Sequence, residues 1–101
     1  MSFLVKVNNN LISIGLTGSF EVSQYQAFRA LCEKYNQPEC KFVIDFSETE
    51  YMDSSALGML LLLREQTEGD KSRVQLINVR DSVSKILDIA HFDRLFSISK
   101  I

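Results

Sequence analysis

Two adjacent serines, Ser54 and Ser55, follow Asp53 where an apolar, strand-like run gives way to a leucine-rich segment. A serine hydroxyl can accept a phosphoryl group, or act as a nucleophile when a base lies within hydrogen-bond reach. A helix that begins at these serines would bring unpaired N–H groups and the positive end of its dipole to the hydroxyls. Negative charge on Ser54 would be stabilised there, which favours phosphorylation of this serine by another protein.

The same residues allow two other interpretations. Asp53 or Ser54 can simply cap the helix, because their side chains accept hydrogen bonds from first-turn N–H groups. Ser54 can alternatively be a nucleophile with His91 as its base. Asp53 or Asp88 would then orient the imidazole. The single histidine lies far along the chain and the G-x-S-x-G pattern of hydrolases is absent, so we predict no catalytic residues and no enzyme.

Length and composition predict one domain that comprises residues 1–101. The chain is 46% hydrophobic and 24% charged, which is typical of a folded globular domain. Its net charge of −2 and the lack of lysine or arginine clusters argue against direct nucleic-acid binding. No glycine-rich phosphate cradle supports the further alternative of nucleotide binding or hydrolysis.

The cysteines and apolar segments predict a cytoplasmic location. We expect Cys32 to be a buried thiol and Cys40 to be a loop or strand-edge thiol. Because the two cysteines have no further ligands at zinc-site spacing, we expect neither a metal nor a cofactor. The N-terminal residues alternate in polarity and do not resemble a signal peptide. The longest apolar run, residues 56–63, is far shorter than the roughly 20 residues of a membrane span, so no membrane association is expected.

Alternating and helical spacings predict the elements that position these residues. The predicted strands are residues 3–8, 12–17, 42–46, 74–79 and 95–98. The predicted helices are residues 23–35, residues 55–68 and a third helix capped by Asp81 or Ser82. A capping box at Ser23 is expected to start the first helix, and the third strand is expected to be covered on both faces. The order β-β-α-β-α-β-α-β predicts an α/β fold with a mixed, mostly parallel sheet and helices packed against it.

Four runs of the sequence, taken in order, resemble the STAS domain family, the bacterial anti-sigma factor antagonists. They are LTGSFE at residues 16–21, DFS at 45–47, YMDSSALGMLL at 51–61 and ILDIAHFDRLF at 86–96. Together they extend over nearly the whole chain. The resemblance implies a STAS-like single domain without enzymatic activity of its own.

The resemblance also implies a regulated binding event. In the family, the serine directly after the motif aspartate is phosphorylated by a partner that is both an anti-sigma factor and a serine kinase, and by position this is Ser54. The unphosphorylated form is then expected to bind that partner and release the sigma factor. Phosphorylation weakens the complex, and a PP2C-type phosphatase restores the unphosphorylated form. We expect the free chain to be a monomer.

The residues expected to contact the partner lie in the loop and helix start around Ser54 and in the loop after the second strand. They are Ser19, Phe20, Glu21, Met52, Asp53, Ser55, Ala56 and Gly58. Ala56 stands where the family usually has glycine, which makes a positive backbone φ there less favourable, and Glu21 stands where aspartate is common.

A second function stays open beside this one. The chain would then be a STAS adaptor subunit of a transport or multiprotein signalling assembly, with a constitutive structural role.

Overall fold

Residues 2–101, which the computed structural model describes, form six strands, three α-helices and three short 3-10 helices. The strands are β1 (Ser2–Asn8), β2 (Leu11–Phe20), β3 (Lys41–Asp45), β4 (Thr49–Met52), β5 (Val74–Val79) and β6 (Ser97–Lys100). The α-helices are α1 (Tyr25–Lys34), α2 (Ser54–Gln66) and α3 (Asp81–Ile89). The 3-10 helices are Val22–Gln24, Lys71–Arg73 and Phe92–Arg94.

The sheet has the strand order β1-β2-β3-β5-β6, and β4 pairs with the far end of β2. β1 and β2 form an antiparallel hairpin, whereas the remaining pairs are parallel. Parallel neighbours need crossover connections, and α1 and α3 provide two of them. The predicted α/β fold with a mixed, mostly parallel sheet is therefore confirmed.

One face of the sheet and the three helices enclose the hydrophobic core. Alternation in β2 turns Ile12, Ile14 and Leu16 towards this core, where their exposed fraction is at most 1%. From the helices, the core receives Phe28, Cys32, Ala56, Met59, Leu60, Leu63, Val83 and Leu87. Residues 53–55 are thus positioned by elements that pack into one continuous core.

The opposite face of the sheet is open, which corrects the expectation that β3 is covered on both sides. Val43 and Asp45 are only half-buried and line a shallow groove of about 280 Å³. The groove also includes Leu4, Lys6, Ser13, Gly15 and Ile77. The strand predicted at residues 42–46 is β3 at Lys41–Asp45, a central strand of which only the core-facing side is buried.

Several predicted boundaries and caps differ from the structure. The first helix begins with a 3-10 turn at Val22, and neither this turn nor α1 has a side-chain cap, so the capping box at Ser23 is wrong. The N-cap of α3 is Arg80, again without a side-chain hydrogen bond, so the predicted cap at Asp81 or Ser82 is also wrong. β4 is an additional strand in the segment expected to be a loop.

Candidate functional site

Ser54 is the first residue of α2 and follows β4 after a single residue, Asp53. Asp53 has an extended backbone and caps the helix, because its Oδ1 accepts a hydrogen bond from the N–H of Ala56 at 3.2 Å. The cap interpretation is therefore confirmed for Asp53. The Ser54 hydroxyl takes no part in this cap and forms no hydrogen bond within residues 2–101, so it remains available for other chemistry.

The exposure of Ser54 is determined by buried neighbours on both sides. Met52 is 1% exposed and Ala56 is 0% exposed, and both belong to the core. The N–H of Asp53 donates to the carbonyl of Phe20 at 3.3 Å, which ties the junction to the end of β2. With the chain held at these points, the Ser54 side chain lies at the surface.

The pairing of β4 with β2 brings the two predicted contact loops together. Ser19 lies opposite Tyr51, and Phe20 lies opposite Met52. The register shifts between Gly18 and Ser19, and Gly18 has a φ of 85°, in the left-handed region that favours glycine. Glu21, which directly follows β2, is therefore held at the same end of the molecule as Ser54.

A buried hydrogen bond stabilises the pairing of β4 with β2. The Oγ1 of Thr49 donates to the carbonyl of Leu16 at 2.7 Å, and the Thr49 side chain is fully buried. The N–H of Gly18 donates to the carbonyl of Glu48 at 3.0 Å, so backbone pairing continues through the bulge. Because a buried hydroxyl without a partner would be costly, this bond favours the observed path of β4.

One face of α2 continues the exposed surface that begins at Ser54. Ser54, Gly58 and Leu61 are spaced by four and three residues, which places them on one side of the helix, and all are exposed. A Cβ added to Gly58 would meet no atom within 4 Å. Tyr51, at 54% exposure, adds an aromatic side chain beside the start of this face.

The charged residues of the two chain segments that form the site are all negative. Glu48 and Glu50 are exposed, and Asp53 and Glu21 are half-buried. Residues 45–60 contain no lysine or arginine, and neither do residues 16–28. An approaching partner therefore meets carboxylates on both loops that flank Ser54.

The structure places some predicted contact residues in the core. The side chains of Phe20, Met52 and Ala56 are at most 1% exposed, so they cannot contact a partner while the fold is intact. Ser19, Glu21, Asp53, Ser55 and Gly58 are half-buried or exposed. Ala56 lies inside α2 and is not among the described residues with positive φ, so alanine fits this position without strain.

Asp45 forms a polar contact whose role the sequence did not predict. Its Oδ1 accepts hydrogen bonds from the N–H of Ser47 at 2.9 Å and from the amide of Asn78 at 3.1 Å. Burial alone would raise the pKa of Asp45, but these hydrogen bonds more than offset it and hold the pKa below its ordinary value. The sequence analysis missed this contact because the left-handed backbone of Asn78, with a φ of 55°, cannot be predicted from sequence.

His91 does not join the serines. It adopts a left-handed conformation with a φ of 57° after α3, its N–H donates to the carbonyl of Asp88 at 3.1 Å, and its side chain is exposed. No hydrogen bond links His91 to Ser54 in the described part of the chain. Among residues 2–101, no group of three or more histidine, cysteine or acidic side chains is placed to hold a metal ion. None of the helices described is long and apolar enough to cross a membrane.

Known proteins resemble this chain in sequence and in fold. A family model described as "Mlab, STAS domain" matches residues 5–98. A STAS-domain containing protein of Pseudomonas aeruginosa strain UCBPP-PA14 is 40% identical over 88 residues, which is 87% of each chain.

Two solved structures have the same fold at low sequence identity. An anti-sigma-factor antagonist (STAS) domain protein from Planctomyces limnophilus matches with a TM-score of 0.81 at 16% identity, over 98% of this chain and 90% of that one. The Bacillus cell fate determinant SpoIIAA in its phosphorylated form matches with a TM-score of 0.74 at 20% identity, over 96% and 90% of the two chains. The sequence matches and the shared fold confirm the resemblance seen in the motifs, and the chain belongs to the STAS domain family.

Proposed function

We propose that the chain is a phosphorylatable anti-sigma factor antagonist in a partner-switching pathway. Its unphosphorylated form binds an anti-sigma factor that is also a serine kinase, and the sigma factor is released. Phosphorylation of Ser54 weakens this complex, and a PP2C-type phosphatase reverses the change. The observation that carries the proposal is the exposed, unbonded hydroxyl of Ser54 at the first position of α2.

The position of Ser54 favours a phosphate that leaves the fold intact. The first-turn N–H groups and the dipole of α2 stabilise negative charge, and the side chain already points to solvent. Asp53 caps through the N–H of Ala56, so other first-turn N–H groups remain available to phosphate oxygens. A phosphorylated chain should therefore melt within a few degrees of the unmodified one.

The surroundings of Ser54 favour a loss of partner affinity on phosphorylation. A phosphate adds roughly −1.5 to −2 charge near pH 7. This charge would add to those of Glu48, Glu50 and Asp53, and residues 45–60 contain no lysine or arginine to offset it. A partner that matches the unmodified surface would have to bury this charge or move away from it, and both reduce affinity.

The exposed residues indicate which part of the surface the partner contacts. Tyr51 and Leu61 supply apolar area on either side of Ser54, and Gly58 permits close approach of a partner's backbone between them. Glu21 and Glu50 supply charges that suit basic side chains. Aromatic and aliphatic anchors inside a polar rim are the usual composition of a specific interface.

Two serine variants test the proposed phosphorylation site in cells. Wild-type protein should show a slower band on a Phos-tag gel, and Ser54→Ala should remove it. Ser82→Ala is the matched control, because Ser82 is also an exposed serine in the first turn of a helix. Persistence of the slow band in Ser54→Ala would contradict the proposed acceptor.

Binding measurements test the second half of the proposal. The kinase partner can be captured with Ser54→Ala as bait and identified by mass spectrometry. Phosphorylated protein should then bind it about 5–150-fold more weakly than unmodified protein, which corresponds to a coupling of about 1–3 kcal/mol. Ser54→Asp should show part of this loss. Equal affinity of all forms, with no modification in cells, would instead favour the constitutive adaptor of a transport or signalling assembly.

A further inference from the structure

The two edges of the sheet differ in length and composition. The β6 edge has four residues, and its Lys100 Nζ bonds to Asp88 Oδ2 at 3.2 Å. The β1 edge has seven residues, and Leu4, Val5 and Val7 are 59%, 37% and 50% exposed. Natural edges are usually shortened, charged or covered, because a free edge can pair with another strand. β1 has none of these protections apart from Lys6.

Backbone geometry determines which groups of β1 are free to pair. Asn8 and Leu11 flank a two-residue turn and close the hairpin as a hydrogen-bonded pair. Alternate residues of an antiparallel strand direct their N–H and C=O groups to opposite sides. Phe3, Val5 and Val7 therefore direct these groups away from β2, along the outer edge.

In contrast to the expectation of a free monomer, we propose that a second copy of this chain pairs with this edge, through antiparallel β1 strands related by a two-fold axis at Val5. Val5 then lies opposite Val5 of the second copy, and Phe3 lies opposite the second copy's Val7. The pairing makes about six backbone hydrogen bonds and joins the two sheets into one. The axis stands perpendicular to the sheet, so the helices of both copies lie on the same side.

Of the registers centred on Leu4, Val5 or Lys6, the Val5-centred one fits the side-chain pattern of β1 best. Centring on Val5 uses the full length of the strand and places Lys6 opposite Leu4, where its aliphatic stem can cover the leucine. Centring on Lys6 would place two ammonium groups directly opposite each other, and centring on Leu4 would pair a shorter segment. Lys6 therefore selects the register instead of blocking the edge.

The core side of the strand supports the same arrangement. Phe3 packs against Phe28 of α1 with ring centroids 6.0 Å apart, whereas Val5 and Val7 on the same face remain partly exposed. In the pair, Val5 would contact Val5 of the second copy and Val7 would contact the second copy's Phe3, which extends the apolar layer across the axis. Apolar area that one copy leaves in water is thus buried by the other.

The proposed pair leaves Ser54 accessible. Gly15 pairs with Asp45 and Gly18 with Thr49, so β4 continues the line of β3 on one side of β2. β1 lies on the other side of β2. Self-association and the proposed phosphorylation therefore use different surfaces, and either can fail without the other.

Light scattering after size-exclusion chromatography tests self-association. The mass of the wild type should rise towards that of a dimer with increasing concentration. Val5→Lys, which opposes two ammonium groups, should raise the dissociation constant by about tenfold or more. Leu11→Lys is the control, since Leu11 has a similar exposure of 40% but lies on β2. A monomer at every concentration would overturn the proposal, as would equal weakening by both variants.

Cysteine cross-linking tests the register. Val5→Cys places two thiols on Cα atoms about 5.5 Å apart in the pair, which a disulfide can bridge. Val7→Cys is matched in strand, face and residue type, but its two Cα atoms would lie about 13 Å apart, beyond disulfide reach. Under mild oxidation, only Val5→Cys should give a covalent dimer. Equal cross-linking of both would overturn the Val5-centred pair, and circular dichroism melts confirm that each variant is folded.

Discussion

Ser54 and Ser82 lie in the first turn of different helices and differ in the charged residues around them in sequence. Both are exposed and lie in the first turn of a helix, where the helix dipole favours a phosphate. Arg80, Asp81 and Lys85 lie within three residues of Ser82, whereas residues 45–60 around Ser54 contain carboxylates but no lysine or arginine. A phosphate at Ser82 would thus have charges of both signs nearby in sequence, whereas at Ser54 it would add to carboxylates alone, and the second case favours the repulsion that the proposed switch needs.

Asp45 gives a prediction about pH at the same scale. Its hydrogen bonds from Ser47 and Asn78 hold the pKa of the carboxyl below the ordinary value. A lowered folded-state pKa stabilises the fold at pH values above the unfolded pKa of about 3.9, and this contribution disappears as the pH falls through the lower, folded-state pKa. Thermal melts of the wild type and Asp45→Asn should therefore differ most above pH 5 and converge towards pH 2.

A second aspartate variant is the control for these thermal melts. Asp81→Asn changes an exposed aspartate that the structure links to no side-chain hydrogen bond in the described chain, so its melts should follow the wild type more closely. A difference for Asp45→Asn that grew as the pH fell would contradict the assigned direction of the pKa shift.

Helix α2 gives a prediction at the scale of an element, through Gly58. Glycine inside a helix costs roughly 1 kcal/mol relative to alanine, and a Cβ at this position meets no atom within 4 Å. Gly58→Ala should therefore raise the melting temperature by a few degrees. If the proposed partner approaches this face closely, the same change should weaken binding, so that stability and affinity move in opposite directions.

Calorimetric melts and a titration with the captured partner would measure the two effects. Lys85→Ala on α3 is the matched control, because it adds no bulk to the α2 face and should leave affinity unchanged. Tighter or equal binding of Gly58→Ala would mean that the Ser54, Gly58 and Leu61 face of α2 is not in close contact with the partner.

The elements that could be predicted from sequence are those with a clear period. β2 and α3 follow periods of two and 3.6 residues, and α2 follows a capped start, so their positions agree with prediction to within a few residues. β4 could not be recognised because its burial pattern places Thr49 and Met52 inward with two exposed residues between them. Its position depends on the bulge at Gly18, which is a tertiary feature.

The candidate site shows the same limit. The resemblance to the STAS family, together with residue order, predicted that Ser54, Asp53 and the loop after β2 belong to one surface. They could not separate contact residues from supporting ones, because Met52 faces inward through the register of β4 with β2 and Ala56 through the packing of α2 against the core. The face to which a strand residue turns depends on how its strand pairs with a neighbour. Pairing between segments about thirty residues apart cannot be predicted from local spacing.

The whole molecule gives a prediction about its two thiols. Cys32 and Cys40 are both buried, and burial raises the pKa of Cys32 to about 12. The reactive form of a thiol is the thiolate, so labelling should require opening of the core. Native protein should react slowly with Ellman's reagent, and both thiols should react at once in denaturant.

A core variant extends this test. Ile14→Val removes one buried methylene and should cost about 1 kcal/mol, which would increase the labelling rate about fivefold. Leu4→Val removes the same group from an exposed position and should leave the rate nearly unchanged. Rapid labelling of either thiol in the native wild type would mean that this part of the core opens independently of the rest.

Met52 and Ala56, the buried neighbours of Ser54, hold this serine in place only when the chain is folded. A helix as short as α2 is marginal in isolation, so a disordered chain would present Ser54 without its cap, its dipole or the adjoining β2 loop. A kinase that recognises this arrangement would phosphorylate folded molecules only. Under the proposed function, the phosphorylated pool in a cell would therefore contain only correctly folded antagonist, and damaged chains would be excluded from the switch before any protease removed them.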